Sequence, residues 1–318
     1  MTDALVGSAF ALASAACYAA MYFLVRAGVR KTDLDGGAFV TTVINAVLLG
    51  GTVAILTLAG HPFAWDLRAT AWFAVAGLLG TFTGRVFMLA GLRRIGPVRT
   101  AAIVNTAPVL TIAISVLVLG EVLSSLGVVA ALLVLIGLSL LGADAFVSPD
   151  PTRARDRGVS PAASGTPGQD RTGPAIWGML LSTLSALTFG SARSARQLGF
   201  GFMRDPLVGA TIGAIAALVG NLALQAMQGR LRSVVLASFR DIRPALWAAG
   251  LTSTLGLLFF FTALRFAPLA HVAVVSASET VITMLLSRVL FPQREHLSAR
   301  VMVAAACVFG AGALISVG

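Results

Sequence analysis

The chain has 318 residues, of which 57% are hydrophobic and only 11% are charged, against about 25% charged residues in soluble proteins. This composition excludes an ordinary soluble domain. The net charge of +10 comes from 22 arginines and the single lysine, Lys31, and most of these lie in short polar joints between apolar blocks. We therefore expect lipid headgroups, and not nucleic acid, to meet these basic residues.

The apolar blocks are long enough to cross a membrane, since a spanning helix needs about 20 mostly apolar residues. The sequence predicts an all-α membrane protein with ten transmembrane helices. In chain order, the predicted segments run roughly from 5 to 27, 37 to 60, 70 to 92, 97 to 119, 124 to 142, 174 to 200, 206 to 228, 244 to 265, 268 to 290 and 298 to 317.

Small residues inside two of these segments predict close helix packing. Gly77, Gly80 and Gly84 lie in the third segment, and Gly209 and Gly213 lie in the seventh. Glycines at such spacing allow the backbones of two helices to approach each other within a bilayer. A hinge is the functional alternative for the same residues.

Scarce residue types exclude several chemistries. Lys31 lies in a joint, so no buried lysine is available for a Schiff base, and there is no phosphate-binding G-x-x-x-x-G-K-[ST] loop. Cys17 and Cys307 stand alone in apolar segments, which disfavours a disulfide or a zinc site. We expect no cofactor and no metal, and no hydrolase or metalloprotease motif indicates an enzyme.

Residues 143–173 separate the fifth and sixth segments and contain four prolines and a mixed-charge run. Such a stretch cannot bury a core, so we predict a disordered linker. It divides the chain into a first five-helix unit, 1–142, and a second, 174–318.

The two units repeat each other at a nearly constant offset. An offset of 171 residues sets Ser14 on Ser185 and Pro97 on Pro268, and an offset of 172 sets Gly84 on Gly256. Because each unit holds five spans, an odd number, the second must enter the membrane upside down relative to the first. Inverted five-helix repeats are typical of transporters, with the substrate site near the midplane between the halves. The halves should then superpose through a pseudo-twofold axis in the membrane plane.

Several motifs in the first half resemble those of the EamA-type transporters of the drug/metabolite transporter superfamily. They are Gly91-Leu-Arg-Arg-Ile-Gly-Pro97, Thr106-Ala-Pro108, Leu119-Gly-Glu121 and an apolar helix from Gly127 to Gly137. The resemblance implies a ten-helix transporter fold. It names no substrate, since the family moves many unrelated metabolites.

The second half departs from this pattern at two places. Glu279 stands where Pro108 stands in the first half, and Phe291-Pro-Gln-Arg-Glu295 replaces the Leu-Gly-Glu ending. For Glu121, at the end of the fourth segment, we predict a role in capping a neighbouring helix rather than in touching substrate.

Few charged residues lie deep within the predicted spans. Glu279 falls at the midplane of the ninth segment, and Arg85 and Arg193 lie about seven residues from the ends of the third and sixth. Intramembrane ionisable groups usually mark a substrate or proton pathway. The alternative is a buried ion pair between Glu279 and an arginine that only fixes helix packing. Arg196 is a weaker candidate, because it could extend to the interface.

Polar residues at helical spacing extend this candidate site. Tyr18 and Tyr22 follow Ser14 along one face of the first segment, and Asn105 maps onto Ser276 through the repeat. We predict that Tyr18, Tyr22, Arg85, Asn105, Arg193 and Glu279 line a central cavity. Packing roles remain open for the tyrosines and for Asn105. The fifth and tenth segments, which lack ionisable residues in their interiors, should lie outside that cavity.

The distribution of basic residues predicts orientation. The joints after the odd-numbered spans carry seventeen basic residues and the other side carries three, which places both termini outside and the linker in the cytoplasm. The family resemblance implies cytoplasmic termini instead, so the two lines of argument disagree.

The favoured function is secondary transport of a small polar metabolite, a zwitterion or an organic anion, by alternating access across a bacterial inner (plasma) membrane. Glu279 is the candidate proton-coupling or ammonium-binding group, and Arg85 or Arg193 is the candidate carboxylate clamp. The alternatives are an exporter of lipophilic cationic drugs and a non-transporting membrane scaffold. The partners are then a small-molecule substrate and the lipid bilayer. The oligomeric state is open.

Overall fold

A computed structural model describes residues 2–28, 34–95, 100, 103–147, 172–240, 244–290 and 299–317. Within these ranges the regular structure is helical. The α-helices in chain order are α1 (Thr2–Gly28), α2 (Leu34–Leu58), α3 (Leu67–Ala76), α4 (Arg85–Ile95), α5 (Ala107–Leu117), α6 (Ser125–Val147), α7 (Thr172–Phe200), α8 (Pro206–Met227), α9 (Leu231–Arg240), α10 (Pro244–Phe266), α11 (Leu269–Ser276), α12 (Ser278–Leu290) and α13 (Ala299–Val317). A π-helical segment, Gly77–Gly84, joins α3 to α4.

Length and apolar composition agree with a membrane protein. Five helical stretches are long and apolar enough to cross a bilayer: Asp3–Val25, Gly37–Leu58, Leu67–Gly91, Pro206–Met227 and Pro244–Phe266. Four shorter apolar stretches accompany them: Ala107–Leu117, Ser125–Leu140, Leu269–Thr283 and Met302–Ser316. The all-helical class is confirmed for the described residues, while the count of ten spans stays a prediction.

Three of the predicted segments are interrupted in the structure. The third contains the π-helical segment, the fourth begins its helix α5 only after a turn at Asn105 and Thr106, and the ninth breaks at Ala277 between α11 and α12. In the fourth segment Pro108 falls at the start of α5, where it removes one backbone donor. In the ninth, the Ser278 hydroxyl donates to the Val275 carbonyl at 2.7 Å, which satisfies an acceptor that the break leaves free. The apolar pattern alone did not predict these interruptions.

The joints differ in two ways from the sequence prediction. α6 continues to Val147 and α7 begins at Thr172, so residues 148–171 are the part of the predicted linker that lies outside the described residues. Pro97 lies outside them too, and with it the predicted superposition of Pro97 on Pro268. The short helix α9, between the seventh and eighth segments, was not predicted.

Helices of one half pack mainly against helices of the other. α1 lies along α10, α7 lies along α3, the π-helical segment and α4, and α6 lies along α13. Two buried serines mark these contacts: the Ser14 hydroxyl donates to the Gly256 carbonyl at 2.7 Å, and the Ser185 hydroxyl donates to the Gly84 carbonyl at 2.8 Å. The repeat assigns Ser14 to Ser185 and Gly84 to Gly256, so the two contacts are equivalent with the halves exchanged.

The predicted close packing at glycines is present. The backbone of Gly77 lies against that of Gly213, and no side-chain atom would fit between them. A Cβ on Gly80 would lie 2.8 Å from the Ala192 Cβ, and one on Gly209 would lie 2.8 Å from a ring carbon of Phe261. These glycines let α8 and α7 approach the third segment, which carries Arg85.

Glu121 caps a helix of the opposite half, as predicted. Its carboxylate oxygens accept from the backbone N–H groups of Leu269 and Ala270, each at 3.0 Å, and from the Ser115 hydroxyl. A carboxylate at a helix N-terminus satisfies free donors and complements the helix dipole. Glu121 thereby fixes the position of α11 and, through it, the break that precedes Glu279.

We expect Gly77→Ala to destabilise the protein, because the added methyl group would overlap the Gly213 backbone. Overpacking of this kind costs about 1–3 kcal/mol. Gly50→Ala is the matched control, since nothing lies within 4 Å of a Cβ at that helical position. Thermal unfolding in detergent should give a lower Tm for Gly77→Ala and an equal or higher Tm for Gly50→Ala. Equal stability of both variants would contradict the close approach.

Candidate functional site

Six charged and aromatic polar side chains come together in the middle of the bundle. They are supplied by α1, the start of α4, α7 and the start of α12, and each interacts electrostatically with others of the set. We call this set the central cluster: Tyr18, Tyr22, Arg85, Arg193, Arg196 and Glu279. It contains five of the six residues that the sequence predicts for the site.

Glu279 lies in the first turn of α12, directly after the break in the ninth segment. It is half-buried, its side chain is within hydrogen-bonding reach of Tyr22, and Arg193 is the cation that interacts with it. The free N–H groups at the start of a helix favour a negative charge. The break therefore creates a place where a carboxylate is tolerated at membrane depth.

Arg85 follows the π-helical segment of the third span. Its Nη1 donates to the Thr41 hydroxyl of α2 at 3.2 Å, and the side chain interacts with Tyr18 and Tyr22. π-helical turns inside α-helices occur frequently at functional sites. The Ser185 hydroxyl bonds the Gly84 carbonyl one residue earlier, so the backbone beside Arg85 is held by the opposite half.

Arg193 and Arg196 lie one turn apart on α7 and share an aromatic neighbour. Their guanidinium carbons are 5.5 Å and 5.1 Å from the centre of the Phe260 ring, and Arg196 is also 5.2 Å from the centre of the Phe261 ring. Arg196 is only 9% exposed. The suggestion that Arg196 extends to the interface is therefore wrong, because the phenylalanine faces hold its charge inside the bundle.

Asn105 is the predicted site residue that the structure does not place in contact with the cluster. It is half-buried in the turn before α5, and within the described residues its side chain makes no hydrogen bond. Asn45 of α2, by contrast, bonds Ser253 and Thr254 of α10 at 3.0 Å each and so has a packing role.

The alternative of a dry ion pair is not what the structure contains. Within the described part of the chain, no direct ion pair joins Glu279 to Arg85 or Arg193. Tyr22, beside Glu279, is 43% exposed, so this end of the cluster lies at the surface of the bundle. A cavity-facing Glu279 remains a prediction.

The opposite end of the cluster is closed by packed aromatic rings. Phe73, Phe200 and Phe261 are at most 4% exposed, and their ring centres lie 5.6 to 5.8 Å apart. Beyond them is a cavity of about 390 Å³ whose lining includes Phe200, Arg204 and Arg265. This cavity lies next to the aromatic rings, at the Phe200 end of α7.

The fifth and tenth segments contribute nothing to the central cluster among the described residues. α6 and α13 pack on each other instead, and a Cβ on Gly137 would lie 2.8 Å from a Val308 methyl group. Sequence reasoning missed Thr41, Phe260 and Phe261 as neighbours of the arginines. No spacing rule could have found them, since they come from other helices.

Comparison with known proteins concerns mainly the first half of the chain. Residues 5–143 match the EamA-like transporter family, so the resemblance predicted from sequence motifs is confirmed for the first half of the chain. A relative from Bacillus subtilis (strain 168), named uncharacterized transporter YcbK, is 35% identical over 131 residues. That alignment covers 39% of this chain, and the chain spans about 41% of the relative's length.

One solved crystal structure has the same fold over nearly the whole chain. The TM-score is 0.67 and the match covers 97% of each chain at 16% identity, a level at which the likeness concerns the fold alone. Together with the apolar helices, the match of the first half supports an integral, multi-pass membrane protein.

The exposed side of the central cluster can be tested by cysteine labelling. In a background with Cys17 and Cys307 replaced by alanine, we expect Tyr22→Cys to react with a charged methanethiosulfonate reagent. Phe261→Cys, at a position that is 1% exposed, should not react. Val47→Cys is the matched control, because Val47 is 63% exposed on α2 but should face lipid, where a thiol does not ionise. Labelling of Val47→Cys alone would contradict the assignment.

Proposed function

We propose that the protein is a secondary transporter that moves a small polar metabolite, a zwitterion or an organic anion, by alternating access. The observation that carries this proposal is the central cluster, in which both signs of charge meet two tyrosines at membrane depth beside a broken helix. Discontinuous helices with charged groups at the break are a recurring construction of transporter sites. A purely structural cluster would be expected to pair its charges directly.

The positions at which α5 and α12 begin support an inverted repeat, because they are equivalent in the two halves of the chain. Adding the repeat offset of 171 residues to Ala107, where α5 begins, gives Ser278, where α12 begins. The exchanged contacts of Ser14 and Ser185 point the same way. If five spans precede the linker and five follow it, the halves are related by an axis in the membrane plane and the cluster lies between them.

The two ends of the cluster support an alternating mechanism. The Tyr22 end lies at the surface of the bundle, while Phe73, Phe200 and Phe261 close the other end. Rocking of one half against the other would separate these rings and close the Tyr22 end. The contacts through Gly77 and Gly213 join segments of opposite halves without interlocking side chains, which suits such a motion.

The residues of the cluster have distinct proposed roles. Glu279 binds and releases the coupling proton, or an ammonium group of the substrate, while Arg85 and Arg193 hold a carboxylate. Tyr18 and Tyr22 form the aromatic wall, and Asn105 adds a polar contact when the turn before α5 moves. The driving force is a proton gradient or the substrate's own gradient across a bacterial inner membrane.

Export of lipophilic cations is the weaker alternative. Three arginines face one carboxylate in the central cluster, and this excess of positive charge repels a cationic substrate. A non-transporting scaffold would explain neither the exposed Tyr22 nor the unpaired charges. Both alternatives are outcomes of the test below.

We expect Glu279→Gln to abolish substrate accumulation driven by a pH gradient while leaving exchange of substrate across the membrane intact. Exchange requires no proton release, whereas accumulation does. The measurement is uptake and counterflow in proteoliposomes with a labelled amino acid, a dicarboxylate and tetraphenylphosphonium, and Asp3→Asn, at an exposed carboxylate, is the control. The expected effect is the loss of about tenfold accumulation per pH unit of gradient, because one unit is worth about 1.4 kcal/mol for each coupled proton.

The three labelled probes distinguish the proposed transporter from the cation exporter and from the scaffold. Loss confined to tetraphenylphosphonium would support the cation exporter, and no flux of any probe would support the scaffold. Wild-type accumulation by Glu279→Gln would remove Glu279 from the coupling role.

A further inference from the structure

The central cluster carries more positive charge than its own carboxylate can balance. Arg85, Arg193 and Arg196 contribute three positive charges, and Glu279 is the one carboxylate that interacts with the cluster among the described residues. With Glu279 ionised, two positive charges remain unbalanced at membrane depth. Such charges are costly there unless an anion accompanies them.

The arginines are only partly compensated by the protein. Phenylalanine rings accept Arg196 and Arg193 through their faces, which is weaker than pairing with an anion. Nη1 of Arg193 is buried and has no hydrogen-bond partner in the described part of the chain. A buried donor of this kind usually has a partner in the functioning protein.

The positive charges occupy two separate places. Arg193 and Arg196 interact with each other across one turn of α7, whereas Arg85 interacts with Tyr18 and Tyr22 and is held by Thr41 of α2. The two tyrosines lie between these places, since they interact with both Arg85 and Arg193. Each of the two locations can therefore bind one anionic group. A guanidinium binds a carboxylate through two parallel N–H donors.

We propose that the substrate is a small dicarboxylate, with one carboxylate on Arg193 and Arg196 and the other on Arg85. This inference rests on the proposed transport function and narrows its substrate class to a dianion. A bound dianion together with ionised Glu279 balances the three arginine charges, which removes the cost of leaving them unpaired inside the bundle. Arg196, which the sequence ranked as a weak candidate, becomes a residue that sets specificity.

The test measures binding by thermal shift on the full-length protein in detergent. The probes are saturated dicarboxylates of three to six carbons, the monoamide of each, alanine and glycerol 3-phosphate. We expect at least one dicarboxylate to raise the Tm, and its monoamide to bind at least about tenfold more weakly, because one lost charge-assisted pair is worth that factor. Equal binding of alanine and the dicarboxylates would overturn the proposal.

Substitutions of Arg196 then test its role in dicarboxylate binding. Arg196→Gln should weaken dicarboxylate binding at least about tenfold, and Arg196→Lys, which keeps the charge, should recover part of the loss. Arg94→Gln, at an exposed position on α4, is the matched control and should bind as wild type. Equal weakening of every probe by Arg196→Gln would contradict a specificity role.

The outcomes distinguish this inference from the transport proposal. Flux of alanine that depends on Glu279, without dicarboxylate binding, would leave transport standing and overturn the dianion. Dicarboxylate binding without flux of any probe would support the dianion site and overturn transport. Binding of glycerol 3-phosphate alone would overturn the two-place arrangement, because a single phosphate group carries both charges.

Discussion

The cost of placing charge inside a bilayer is the constraint on which this structure depends. Among the described residues, the central cluster contains four ionisable side chains, and local interactions reduce the cost of burying their charges. Glu279 lies in the first turn of α12, where the helix dipole favours a negative charge. Arg196 is covered by two phenylalanine rings, and Arg85 donates to Thr41. These interactions compensate the buried charges only in part, so the cluster is suited to a charged ligand.

The same environment requires that backbone groups freed by helix breaks find partners within the protein. Glu121 bonds the first two N–H groups of α11, and the Ser278 hydroxyl bonds the carbonyl of Val275. Both partners stand next to the ninth segment, which the break divides. Glu121 thus stabilises the start of α11, and the Ser278 hydroxyl satisfies a carbonyl at the break itself.

Close packing between the halves depends on residues without side chains. Gly77 and Gly213 allow two backbones to touch, and Gly84 lies under Thr188 and Phe189 of α7. The Ser185 hydroxyl bonds the Gly84 carbonyl across the second of these contacts, and the Ser14 hydroxyl bonds the Gly256 carbonyl between α1 and α10. Interfaces of this type hold two halves together mainly by contact and a few hydrogen bonds, which leaves their relative position adjustable.

The sequence by itself determined the helical membrane class, most segment limits and five members of the central cluster, because apolar length and rare intramembrane charges are local properties. It also predicted the cap by Glu121. The breaks in the fourth and ninth segments, the burial of Arg196 and the partners Thr41, Phe260 and Phe261 were decided by the tertiary structure. These features depend on which helices face each other, and a one-dimensional pattern of hydropathy does not encode that, since lipid and protein neighbours are equally apolar.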